Sequence, residues 1–211
     1  MPLILAKPHR GAANFGDEPH GDITLIDPSE IPCFDLLLAD FPCQPFSQAG
    51  LQKGFGIPQN RERIYIVALK SGETFTFPKP TLEKTSVGSV LENRVLDKYT
   101  LSDRLWQGHQ RRKLEHKKKG NGFGYSSFNA DSEYTNTISA RYYKDGSEIL
   151  IEQGEGKNPR KITPREAARL QGFSEDYQIV VSDVQAYKQF GNSVCIPVIR
   201  AISQELKPFL K

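Results

Sequence analysis

Two short, unbroken apolar runs constrain this chain most: "LLLA" inside "FDLLLAD" (residues 34–40), and "RIYIVAL" (residues 63–69). Neither alternates polar and apolar residues, as a half-exposed strand does. The second is also rich in β-branched and aromatic residues. Each therefore reads as a strand of a parallel-type sheet, buried on both faces, and the fold class is α/β. In open α/β sheets, ligands bind beyond the carboxyl ends of the strands. Cys43 lies there, a few residues past the first run, in "DFPCQPFSQAG" (residues 40–50). Pro42 and Pro45 restrict the backbone around it and remove two amide donors. That setting suits a thiol held in one orientation. For an isolated cysteine the alternative is a buried, inert thiol.

The rest of the composition narrows the class. At 211 residues the chain holds one domain, or one with a small second lobe. No apolar stretch is long enough to span a bilayer, and the opening "MPLILAKPHRGAANFG" does not read as a signal peptide, so the expected location is the cytoplasm. The 3 cysteines, Cys33, Cys43 and Cys195, are far apart, odd in number and without zinc spacing, which argues against a disulfide framework and against a metal site. A net charge of +3 says little, but its distribution says more. "RLWQGHQRRKLEHKKK" (residues 104–119) carries seven Lys/Arg against one Glu. That is a patch for phosphate contact, or else the solvated face of a helix.

Along the chain, "GDITLID" (residues 21–27) reads as a short strand. "FPKP" (residues 77–80) reads as a linker or domain edge. From residue 81 to about 160 the sequence turns basic, then rich in Gly and aromatics, then β-like in "YTNTISARYY" (residues 134–143), which predicts a mainly β/loop lobe. "YKDGSEILIE" (residues 143–152) predicts a hairpin turning at Asp145-Gly146. "ITPREAARLQGF" (residues 162–173) predicts a helix with Thr163 as N-cap, Pro164 at its first position, Glu166 closing a capping box and Gly172 as its stop. A last helix is predicted from near Ser193, docked through Ile196, Ile199 and Ile202.

Four words, "PCQPFS" (residues 42–47), "QNRERIYIV" (59–67), "TPREAARLQGF" (163–173) and "AYKQFGNSV" (186–194), occur in this order. Together they resemble the C5-cytosine DNA methyltransferases of bacterial restriction–modification systems, and the resemblance covers most of the chain from Asn14 onward. It implies an S-adenosylmethionine-dependent, Rossmann-like sheet with a target-recognition lobe. It implies that Cys43 adds as a thiolate to C6 of a cytosine flipped out of double-stranded DNA, so that C5 can accept a methyl group. Arg61 and Arg63 match the family's arginines, Arg63 as the donor to the base. Pro42, Asp22, Asn192 and Ser193 match cofactor-side positions, although a turn aspartate and a helix cap would also account for the last three. Expected DNA contacts are Gln59, Arg111, Arg112, Lys117, Lys118, Lys119, Arg165 and Arg169. The expected division is a catalytic remnant over residues 1–80, with 186–211 returning to it, and a recognition lobe over 81–185.

Two departures from the family pattern follow. The family's first strand and glycine-rich turn, which cradle the cofactor, have no counterpart before Asn14. After "GLQKGF" (residues 50–55) the family runs through further elements, including a Glu-Asn-Val word whose glutamate contacts the target base. Here "GIPQNRERIY" follows directly, as if a block were excised near Phe55–Gly56. Glu92, in "LEN" inside the recognition region, does not replace that glutamate. The sheet is therefore expected to be incomplete and methyl transfer to be impaired or absent in the isolated chain. A complementary methyltransferase chain is a possible partner. The alternatives are a catalytically silent DNA-binding remnant and a decayed gene product. A Cys–His hydrolase has no recognisable word around His9, His20, His109 or His116.

Overall fold

The computed structural model describes residues 25–27, 29, 52–63, 65–67, 69, 73–81, 84–122 and 124–210. The "FDLLLAD" run, Cys43, Pro42 and Asp22 lie outside the described residues, as does most of "GDITLID".

The predicted "TPREAARLQGF" helix forms as its chemistry dictates. Counting helices as α1 Asp103–Lys118, α2 Pro164–Arg169, α3 Asp183–Asn192 and α4 Ile196–Leu206, it is α2. The Thr163 hydroxyl accepts from the Glu166 amide, and the Glu166 carboxylate accepts from the Thr163 amide, so two otherwise orphaned donors are satisfied reciprocally. Gly172 ends this segment at φ +76°, a conformation that a side chain disfavours. A Cβ there would also meet the Pro197 ring at 2.4 Å, so the stop is fixed by sterics as well.

The small sheet has the order β1–β2–β3, with β1 Ser127–Phe128, β2 Leu150–Ile151 and β3 Arg160–Lys161. β1 pairs parallel to β2 (Ser127 with Leu150), and β2 pairs antiparallel to β3 (Ile151 with Arg160). The predicted hairpin over residues 143–152 is corrected here. Gly146 does turn at φ +65°, but β2 pairs onward with β3 rather than back across that turn. The cause is burial. Ile149, Leu150 and Ile151 are all buried, so this run needs cover on both faces, which a two-stranded hairpin cannot give.

The basic stretch is the 16-residue helix α1, capped by Ser102, so residues 81–160 hold more helix than their sequence suggested. Helix α3 was not anticipated either; Ser182 caps it, accepting from the Gln185 amide.

One core joins these elements. Ile138, Tyr142, Ile149, Ile162, Leu170, Tyr187 and Phe190 are buried together. Its tyrosines are satisfied without water: Tyr142 donates to Ile149 O (2.6 Å) and accepts from Ile162 N (2.9 Å), while Tyr187 donates to Ile162 O (2.6 Å). Buried hydroxyls that make such bonds avoid the desolvation cost an unpaired one would carry. A second cluster unites Ile57 with Cys195, Val198, Ile202 and Leu206. The buried stripe of α4 is thus Val198, Ile202 and Leu206, spaced i, i+4, i+8; of the three isoleucines read from the sequence Ile202 belongs to it, while Ile196 and Ile199 are half-buried beside it. Among the described residues of "RIYIVAL" none lies in a strand; Tyr65, Val67 and Leu69 pack on this second cluster instead.

Candidate active site and nucleic-acid face

The "QNRER" word is an anchor before it is anything else. Gln59 is fully buried. Its amide donates to Leu170 O (2.8 Å) and accepts from Ile138 N (2.8 Å), tying the word to α2's end and to the segment around Ile138. Asn60 N donates to Thr135 O (2.8 Å) alongside. The expected DNA contact by Gln59 is therefore corrected: both ends of its amide are committed inside the protein.

Arg61 is also fully buried. Its guanidinium donates to Ile138 O (2.9 Å), Gly191 O (2.8 Å) and Ser193 O (2.9 Å). The last two carbonyls end α3, where the helix dipole is negative, so a buried cation fits there. Arg61, expected as catalytic, thus ties three segments together from inside. Arg63 differs. It is half-buried, donates to Glu62 O (2.8 Å), and lines an open polar cavity of about 320 Å³ with Asn60, Glu62 and Thr137. Thr137, which donates to Asn60 O (2.7 Å), is a lining residue the sequence did not single out.

At the end of α3, Asn192 is exposed, whereas the Ser193 hydroxyl donates to Phe190 O (3.0 Å). Gly191 explains why the "FGN" word needs a glycine. A Cβ on it would sit 2.4 Å from the backbone of Ser139 and Ala140. The helix touches the 139–140 backbone directly, beside the carbonyls Arg61 binds.

A buried ion pair escaped sequence reasoning. Arg160 and Glu166 form two bonds, 2.7 and 2.8 Å, with side chains 7% and 0% exposed. Glu166 also accepts from the amides of Thr163 and Glu92, both at 2.8 Å. The Glu92 carboxylate in turn accepts from the Thr163 hydroxyl. The capping box was visible in the sequence, but its third partner, Arg160, arrives from β3 only through the fold. Arg165 and Arg169, both half-buried, bond to neighbouring groups of the chain. Arg165 donates to Tyr177 O (2.8 Å), and Arg169 grips Glu175 with bonds of 2.7 and 2.9 Å and donates to Val90 O (3.1 Å).

Helix α1 keeps its charge outward. His109 is its buried contact. Lys113 donates to Tyr125 O (3.0 Å) and lies over the Tyr125 ring at 4.1 Å. Arg111, Arg112, Lys117, Lys118 and Lys119 are exposed.

The fold defines the class first. Solved structures that superpose are a methyltransferase of Entamoeba histolytica (TM-score 0.53, 19% identity, 74% of this chain and 51% of that one) and the Dnmt2 methyltransferase of S. pombe (0.53, 18%, 74% and 55%). The fold is thus shared with those solved methyltransferases. The family follows from sequence: the model of the C-5 cytosine-specific DNA methylases matches residues 12–56 and 53–208. This chain belongs to that family. It is 50% identical over 268 residues to the Type II methyltransferase M1.ScrFI of Lactococcus lactis subsp. cremoris, covering 94% of this chain and 69% of the relative. With the Type II methyltransferase M.NlaX of Neisseria lactamica it shares 50% over 264 residues, 94% of this chain and 84% of the relative. Both alignments run over more residues than the 211 of this chain, so the relatives carry positions that it lacks. The two matched blocks meet at residues 53–56, where the sequence had suggested an excision.

Proposed function

We propose that this chain is a DNA (cytosine-5-)-methyltransferase by descent, acting on double-stranded DNA, and that methyl transfer by the isolated chain is impaired. Cys43 would attack C6 of the flipped cytosine, and Arg63, at the rim of its polar cavity, would hold the base. Arg61 would keep that rim in place by joining Ile138 to the end of α3. S-adenosylmethionine supplies the methyl group when bound. Asn192, which is exposed, Ser193, Asp22 and Pro42 are the residues offered to it.

One observation carries both halves of this reading. The alignment with relatives covers 94% of the chain at 50% identity, yet extends over 268 residues. Identity at that level argues for the same chemistry; the unmatched positions argue that part of the machinery is absent. A complementary chain that carries the missing block would supply it. Incubation with labelled S-adenosylmethionine and mixed-sequence duplex DNA tests the proposal. Little or no label should transfer with this chain alone. Robust transfer, abolished by Cys43→Ser, would refute the impairment, while failure to bind duplex DNA at all would refute the family activity as this chain's own.

A further inference from the structure

The outward face of α1 carries a groove that the sequence did not define. Arg104, Gly108 and Arg111 follow one another at i, i+4 and i+7 and so share one helix face, with Arg112 on its flank. Around Gly108 these arginines, with Ser102 and Leu105, line an open cavity of about 370 Å³. Gly108 sits in the middle of the helix, where glycine costs about 1 kcal/mol relative to alanine. Packing does not require it: its φ is not positive, and a Cβ would meet nothing within 4 Å. What the missing side chain leaves is room between guanidinium groups.

Those groups are weakly compensated. Arg104 has no ion-pair partner among the described residues. Arg111 meets Glu115 only at 3.7 Å, with both side chains well exposed. Arg112 is held by His109 Nδ1 (3.0 Å) and by Asp145 (3.4 Å). The helix N-terminus, capped by Ser102, adds its positive end beside them. Meanwhile His109, Arg112 and Lys113 hold the helix to the lobe, so the groove is presented on a fixed support.

We propose that this groove seats one stretch of the DNA backbone, with Arg104 and Arg111 on phosphate oxygens and Gly108 as the floor that lets the strand approach. The inference rests on the DNA reading above and adds where the backbone is gripped. Planar guanidiniums suit phosphate recognition, and each phosphate contact contributes to the salt dependence of binding. The test is fluorescence anisotropy of a labelled duplex titrated with salt, using the full chain. Arg104→Ala/Arg111→Ala should reduce the slope of log K against log[salt] by roughly 2, at about 0.9 per lost contact. Gly108→Glu should weaken binding at least tenfold while the melting temperature holds or rises, because the helix improves as the groove fills. An unchanged slope in the double variant, or wild-type affinity in Gly108→Glu, overturns the groove while leaving the DNA reading intact. Absence of salt-dependent binding by the wild-type chain overturns the DNA reading itself, and the groove with it.

Discussion

Replacing Arg160 with methionine should be among the most damaging single changes available in the described residues. Its partner Glu166 is 0% exposed, and two of that carboxylate's bonds come from Arg160, at 2.7 and 2.8 Å. In Arg160→Met the carboxylate would keep the amides of Thr163 and Glu92 but lose its counter-charge in a site closed to water. Breaking such a pair from one side costs about 3–5 kcal/mol. That is roughly two to three and a half orders of magnitude in the folding constant, set against a total of about 5–15 kcal/mol for a domain. Urea denaturation followed by tryptophan fluorescence and circular dichroism reads it directly. At about 2 kcal/mol per molar, the midpoint should fall by roughly 1.5–2.5 M. Two further variants separate charge from volume. Arg160→Met/Glu166→Gln should be more stable than Arg160→Met, because the stranded charge has gone at the smaller cost that the single glutamine oxygen serves only one of the two amides. Lys98→Ala, which breaks a 2.7 Å ion pair with Asp183 whose members are 54% and 42% exposed, should cost far less, because solvent screens that pair. If Arg160→Met costs no more than Lys98→Ala, or if the double variant is the less stable, the buried network does not hold α2 to β3.

Other outcomes follow from the same contacts. Gly191→Ala gains helix propensity but drives a Cβ to 2.4 Å from the Ser139–Ala140 backbone, so a net loss of about 1–3 kcal/mol is expected in the same assay, and a gain would show that the seam can open. The Cys195 thiol is buried and pushed up to about 11, chiefly by that burial. Peptide mapping after iodoacetamide at pH 8 should find it unmodified until urea is added. Its raised value stabilises the fold fully below about pH 9 and less as pH climbs toward 11. His109 is held below its ordinary 6.5, first by burial and then by the charge of Arg112, with Asp145 opposing. The neutral ring therefore contributes stability above pH 6.5 that is lost as pH falls, since the unfolded chain takes up the proton first. A pH series of urea midpoints should show this decline below 6.5, and His109→Gln should flatten it; an unchanged profile would mean that the ring is protonated in place.

The sequence by itself determined whatever depends on near neighbours or on whole words. The Thr163–Glu166 capping box, Pro164 and the Gly172 stop all act within a turn or two of backbone, so α2 was legible residue by residue. Family membership was legible as well, because four words in order carry it whatever the coordinates. The break near Phe55–Gly56 was readable for the same reason. Only the tertiary structure decided which side of the protein each of those residues faces. Gln59 and Arg61 share a word with Arg63, yet the first two are buried on distant carbonyls and amides while the third opens onto a cavity. Arg165 and Arg169 look as free as Arg111, but the 174–177 turn and Glu175 take them up. A charged side chain's role depends on which acceptors the fold brings within about 3 Å, and those acceptors here lie up to 132 residues away along the chain. Local pattern cannot encode that distance, and the packed core supplies it.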